Sequence, residues 1–154
     1  MEDASRKIFD SLARTCSRQE CCSRDMLAKA LKRTGGDETA AREIVDALIA
    51  EKYVDDSRYA AAFAREKSAI TGWGPVKITF ALAAKGISRE TAAAALQEVD
   101  SDRADDLLRR TLEAKWRTLQ GDPQGKLKLI RFALSRGYEY DRVQGPVEEI
   151  CKKQ

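Results

Sequence analysis

A spacing of 51 residues recurs along this chain, and it narrows the available folds more than any other feature. Gly35, Gly86 and Gly137 stand at that interval, each between two apolar-periodic runs. Upstream, Leu27, Ile78 and Leu129 keep the register, as do Leu31, Leu82 and Ala133. Downstream it holds through Val45, Leu96 and Val147, and again through Leu48, Val99 and Ile150. Self-similarity at a fixed period marks stacked supersecondary units, each too small to bury its own apolar face. Such units build long surfaces more readily than deep pockets.

Apolar spacing of three and four residues runs throughout, and no alternation of strand type survives over six residues. Each unit reads as three helices. In the first, Ile8, Phe9, Leu12 and Ala13 give one helix. Met26, Leu27, Ala30 and Leu31 give the second, behind Ser23 and stopped at Gly35-Gly36. Asp37 then caps a third with Ala41, Ile44, Val45 and Leu48 inward. The second unit opens at Asp55-Asp56, is interrupted at Gly72-Trp73-Gly74-Pro75, and resumes towards Gly86 and Ser88. The third begins with a longer helix from about Ser101 to Leu119 and turns at Gly121-Asp122-Pro123. Gly145-Pro146 falls inside its last helix, where proline removes a donor, so a kink or a late start is expected there. The prediction is an all-α fold of three tandem three-helix repeats, 1–54, 55–100 and 101–154. They form one continuous, elongated and curved array of nine helices, with Gly35, Gly86 and Gly137 each ending a middle helix.

Composition excludes several functions. Charged residues make up 34% of the chain, which suits helices with large solvated faces. Histidine is absent, removing the commonest general base and a common metal ligand. Cys16, Cys21 and Cys22 cluster without a second pair at zinc-site spacing, so they read as buried or incidental thiols. No phosphate-binding glycine loop is present. The expectation is a non-enzyme with no catalytic residues, no metal and no cofactor. No run of 18 apolar residues occurs, and Met1-Glu2-Asp3 is unlike a signal peptide, so a cytoplasmic protein without membrane contact is expected.

The net charge of +3 comes entirely from residues 101–154, and 107–136 holds 8 basic residues against 2 acidic. Along the helix after Ser101, the alternation of Arg103, Asp106, Arg110, Glu113 and Arg117 is a self-compensated solvent face. Outside that alternation, Arg109, Lys115, Lys126, Lys128, Arg131 and Arg136 read as uncompensated charges. They suit either ordinary solvation or contact with phosphate or an acidic protein surface. Trp73, between two glycines, is either a lid over a helix seam or an exposed anchor for a partner.

The stretch Lys52-Tyr53-Val54-Asp55-Asp56-Ser57-Arg58-Tyr59-Ala60 resembles the central motif of the RecX family of bacterial recombination regulators. Phe63-Ala64-Arg65, Gly74-Pro75 and Leu82-Ala83-Ala84-Lys85-Gly86-Ile87 extend the resemblance, as do Lys126-Leu127 and Arg136-Gly137-Tyr138. Lys52 stands where the family often has Gly, Glu139 where it often has Ser, and Pro146 is foreign to its last helix. The resemblance implies three tandem three-helix repeats, independently of the 51-residue period. It also implies a regulator that binds the RecA recombinase filament on DNA and restrains its ATP hydrolysis and strand exchange, with single-stranded DNA met inside the filament. A monomer is expected. The alternative is a general helical DNA-binding protein without recombinase specificity. Candidate partner- or DNA-binding residues are Arg58, Arg65, Trp73, Lys77, Lys115, Lys126, Lys128, Arg131 and Arg136.

Overall fold

Local sequence dictates several of the helix starts and stops. The computed structural model describes residues 1–153, which form nine α-helices, one π-helical turn and no strand. They are α1 (Asp3–Arg18), α2 (Ser23–Arg33), α3 (Glu38–Ala50), α4 (Asp56–Glu66), the π-helical turn Lys67–Thr71, α5 (Pro75–Ala84), α6 (Arg89–Leu96), α7 (Ser101–Arg117), α8 (Gly125–Ser135) and α9 (Tyr140–Lys152). Asp37 and Ser88 accept hydrogen bonds from the Ala40 and Thr91 amides, each at 3.1 Å. Asp55 and Asp100 do the same for Arg58 and Arg103, at 3.0 and 3.1 Å. Each cap satisfies one of the amides that a helix start leaves unpaired. Glu139 occupies the Asp37 and Ser88 register and makes no side-chain cap bond.

Gly35, Gly86 and Gly137 adopt φ of +72°, +78° and +97°, and each ends the middle helix of its unit as expected. In the first two units the same 6→1 bond closes the helix. The Gly36 amide donates to Leu31 O at 2.8 Å, and the Ile87 amide to Leu82 O at 3.0 Å. Of the two outcomes expected at Pro146, the late start does not occur. The last helix begins at Tyr140 without delay, and Pro146 sits inside it. Its half-buried ring takes the register position of Ile44 and Ala95, while Val143, Val147 and Ile150 anchor the helix in the third core. Packing of that apolar stripe outweighs the one backbone bond that proline removes.

The apolar faces converge on three cores. Phe9, Leu12, Met26, Ile44 and Leu48 fill the first; Leu108, Leu112, Leu129, Val143 and Val147 fill the third. The middle core is built on Ala60, Ala64, Ala92 and Ala95 around Ile78 and Leu82, and small residues there let α4 and α6 pack closely. Cys22, which precedes α2, is fully buried in this middle core, so the first unit closes part of the second.

The units are joined end to end through their middle helices, in reverse chain order. At the C-terminus of α8, the carbonyls of Arg136 and Gly137 accept from the amides of Gly74 and Val76 at 2.7 and 2.9 Å, capping the start of α5. A Cβ on Gly74 would lie 2.4 Å from Gly137 O, so only glycine permits this approach. At the other end of α5, Arg24 donates to Ala84 O at 3.3 Å and Lys85 meets the Asp25 carboxylate at 3.0 Å, both from the first turn of α2. Asp56 completes that seam by accepting from the Ser23 amide and hydroxyl at 2.8 and 2.6 Å. The negative end of one helix thus meets the positive end of the next, twice.

Candidate partner interface

The π-helical turn decides what happens around Trp73. It carries α4 on to Thr71, and Gly72 then reverses the chain at φ +75°. Trp73 folds back half-buried, edge-on to Phe63 with ring centroids 6.2 Å apart, and Phe63 stacks on Tyr59 at 6.0 Å. Two ammonium groups lie on the indole: Lys67 Nζ at 4.9 Å and Lys77 Nζ at 4.7 Å from the ring centroid. Of the two roles open to Trp73, the seam lid fits this geometry, with a second duty as a platform for cations.

The other candidates fall into distinct groups. Arg58 is a clamp: Nε donates to both Glu20 carboxylate oxygens at 2.8 Å, and Nη2 reaches the carbonyls of Lys52 and Tyr53 at 3.1 and 3.3 Å. Arg136 is a strap, its Nη2 donating to Thr71 O across the seam between the second and third units. Lys126 pairs with Glu148 at 2.8 Å, Lys128 with Asp122 at 2.6 Å, and Arg109 with Glu149. Those three cations were expected to lack opposite charges, and the fold supplies them from α9 and the 117–125 turn. Lys115 rests over the Phe132 ring at 5.4 Å. Arg65 and Arg131 are exposed and form no ion pair among the described residues. Arg65 stands at the mouth of a small groove with Glu98, Asp100 and Arg103.

Two features of this surface were missed in the sequence. Lys67 shares the indole with Lys77, although neither helical spacing nor charge counting links the two. Phe80 is 78% exposed on α5, one turn beyond Lys77, and Val76 and Ile70 are exposed nearby in the chain. The wheel that turns Ile78 and Leu82 inward also turns Phe80 outward, so that signal was present. A groove of about 420 Å³ opens beside Val76 at the seam, lined also by Tyr138, Glu139 and Arg142.

Pairing outweighs burial for the Asp25–Lys85 pair at the first seam. Burial alone would raise the Asp25 carboxyl, but the Lys85 ammonium and Cys22 hold it below the ordinary aspartate value. Lys85 is raised in turn by its hydrogen bond to Asp25. Cys16, Cys21 and Cys22 are buried free thiols, as expected, and burial followed by the neighbouring Cys21 pushes Cys16 up to about 12. Thiols so held are poor nucleophiles. Among the described residues no group of three or more Cys, Asp or Glu is placed to hold a metal ion. No helix among them is long and apolar enough to cross a membrane.

Three-helix units sealed end to end define an all-helical protein of tandem three-helix domains. Residues 55–96 match the family model of the RecX second three-helix domain, and residues 102–144 that of the third, together more than half of the chain. The chain belongs to the RecX family, a family of regulatory proteins rather than enzymes. It is 27% identical to the regulatory protein RecX of Clostridium perfringens, covering 99% of this chain and 73% of that protein. It is 34% identical to that of Salmonella typhimurium over 60% of this chain and 55% of that one. The chain spans from about half to three-quarters of the length of such relatives. The fold matches a crystal structure of RecX from Lactobacillus salivarius with a TM-score of 0.80 at 20% identity, over 99% of each chain. Another crystal structure of regulatory protein RecX gives 0.82 at 22% identity, over 92% of this chain and 70% of that one.

Proposed function

We propose that this chain binds the RecA recombinase filament assembled on single-stranded DNA and restrains its ATP hydrolysis and strand exchange. Family membership supports the regulatory role, and the end-to-end succession of α8, α5 and α2 carries the filament reading. At 1.5 Å rise per residue those three helices alone amount to about 50 Å. A surface of that length is suited to several subunits of a polymer at once, so modest contacts add through effective concentration. In this reading 1–54, 55–100 and 101–154 act as one array, as a monomer, in the cytoplasm where the filament forms. Arg65, Trp73, Lys77, Lys115 and Arg131 are the candidates that meet the partner. Arg58 and Arg136 hold the seams that position them. The alternative, a general DNA-binding protein, rested on the positive excess of 107–136. The ion pairs of Arg109, Lys126 and Lys128 weaken that support.

A steady-state ATPase assay with purified cognate recombinase on single-stranded DNA tests the proposal. Hydrolysis should slow at less than one molecule of this protein per recombinase subunit. Unchanged hydrolysis at stoichiometric excess would overturn it.

A further inference from the structure

We propose that Cys16, Cys21 and Met26 form a binding site for a soft monovalent metal ion, copper(I), between α1 and α2. The three sulfurs recur at intervals of five residues: Cys16 in the last turn of α1, Cys21 in the link, and Met26 in the first turn of α2. All three side chains are buried in the first core. Cys16 Sγ donates to Met26 Sδ at 3.6 Å, and after burial the largest influence on Cys16 is a hydrogen bond with the Cys21 thiol. Cys16 thus touches both other sulfurs. Metal–thiolate bonds of about 2.3 Å around a three-coordinate ion set the sulfurs about 4 Å apart. The Cys16–Met26 pair stands close to that spacing before an ion arrives.

The donor set decides which ion. Thiolate and thioether are soft ligands that select copper(I). The cysteine spacing that fails for zinc leaves the thioether uncounted. Zinc takes four ligands in nearly all structural sites, and among the described residues no third cysteine or carboxylate joins Cys16 and Cys21. Glu20, next to Cys21 in the chain, has both carboxylate oxygens taken by Arg58 at 2.8 Å. Cys21 and Met26 line a groove of about 630 Å³ beside Tyr59, which gives an ion a path inward, and Cys16 lines another of about 500 Å³. Burial that keeps the Cys16 thiol protonated does not bar a metal, because a bound cation deprotonates its thiol ligands outright. Binding exchanges two thiol protons for one Cu⁺ with no change of valence. The one net negative charge that results is offset by Lys29, which lines the larger groove and already acts on Cys16.

The test uses the full reduced chain and copper(I) alone, supplied without oxygen as its complex with the chromophoric chelator bicinchoninate. No recombinase is present, so the result is independent of the filament reading. The protein should withdraw one equivalent of copper, with affinity rising about hundredfold per pH unit because two protons leave. Cys16→Ser and Cys21→Ser should each bind at least about tenfold more weakly, since even partners outside the ligand set are worth about 10–100-fold. Met26→Leu guards against a folding defect, because it conserves volume in the core and removes only the thioether. X-ray absorption should count three sulfurs on copper in the parent and two in that variant. Cys22→Ala and Cys151→Ser should keep the parent affinity. No withdrawal of copper, or three sulfurs still present in Met26→Leu, would overturn the proposal. So would parent affinity in Cys16→Ser, which would assign the copper to adventitious binding at the remaining thiols.

Discussion

Single atoms set the tolerances at the seams. Gly74 and Gly137 face each other so closely that neither has room for a methyl group, whereas Gly145 on α9 faces open space. Gly74→Ala should therefore destabilise the protein by about 1–3 kcal/mol, the range for forcing an extra carbon into a packed site. Gly145→Ala should stabilise it by about 0.5–1 kcal/mol, because it removes backbone freedom within a helix. Urea unfolding of the two variants beside the parent checks both signs. Equal effects would mean that the seam yields freely. Lys77 belongs to the same tolerance, since its stem crosses Gly137 before its ammonium reaches Trp73.

Helices in this chain are capped partly by one another, and that is what couples the units. Asp37, Ser88, Asp55 and Asp100 each serve their own helix. Asp56, by contrast, belongs to α4 and satisfies the start of α2, while the end of α8 satisfies the start of α5. Asp56→Ala should cost about 1–2 kcal/mol, the upper part of the range for losing an N-terminal cap, since two hydrogen bonds go together. Ser23→Ala loses only the hydroxyl bond and should cost less. In the double variant the two costs should fall short of additivity, because each substitution removes a bond that the other shares. Denaturant midpoints of the four proteins give the coupling. Additive costs would show that the two side chains act separately.

Across the whole molecule, burial shifts the titration of several groups in one direction. Burial raises Cys16 to about 12 and also raises Cys22, Tyr59 and Tyr138. Each binds its proton more tightly folded than unfolded. In the window between the unfolded and folded values the native state therefore carries more protons, and stability falls as pH rises. The loss begins near pH 9, the ordinary thiol value, and continues towards 12 for Cys16. Urea midpoints under reducing conditions should decline steadily from about pH 9 upwards. Cys16→Ala should flatten that decline while lowering the midpoint at neutral pH. An unchanged slope in that variant would remove Cys16 as a cause.

What the chain determined by itself is local or periodic. The starts of α3, α4, α6 and α7 follow from Asp or Ser at their caps, several helix ends from glycines able to take positive φ, and core membership from apolar spacing repeated every 51 residues. The RecX motif at 52–65 and 82–87 carried the family in the same way. Only the tertiary structure decided which charges stay free. Arg58 meets Glu20 from 38 residues away, and Lys126 meets Glu148 from 22, separations at which no helical wheel applies. It also decided the Lys67–Trp73–Lys77 platform, because the π-helical turn and Gly72 break the helical register between those residues. Pro146 belongs with these: a lone backbone penalty is read from one residue, but the apolar stripe that overrides it acts through two other helices. Local geometry is encoded by neighbours in the chain, whereas neutralised charge and tolerated strain depend on partners that only folding brings near.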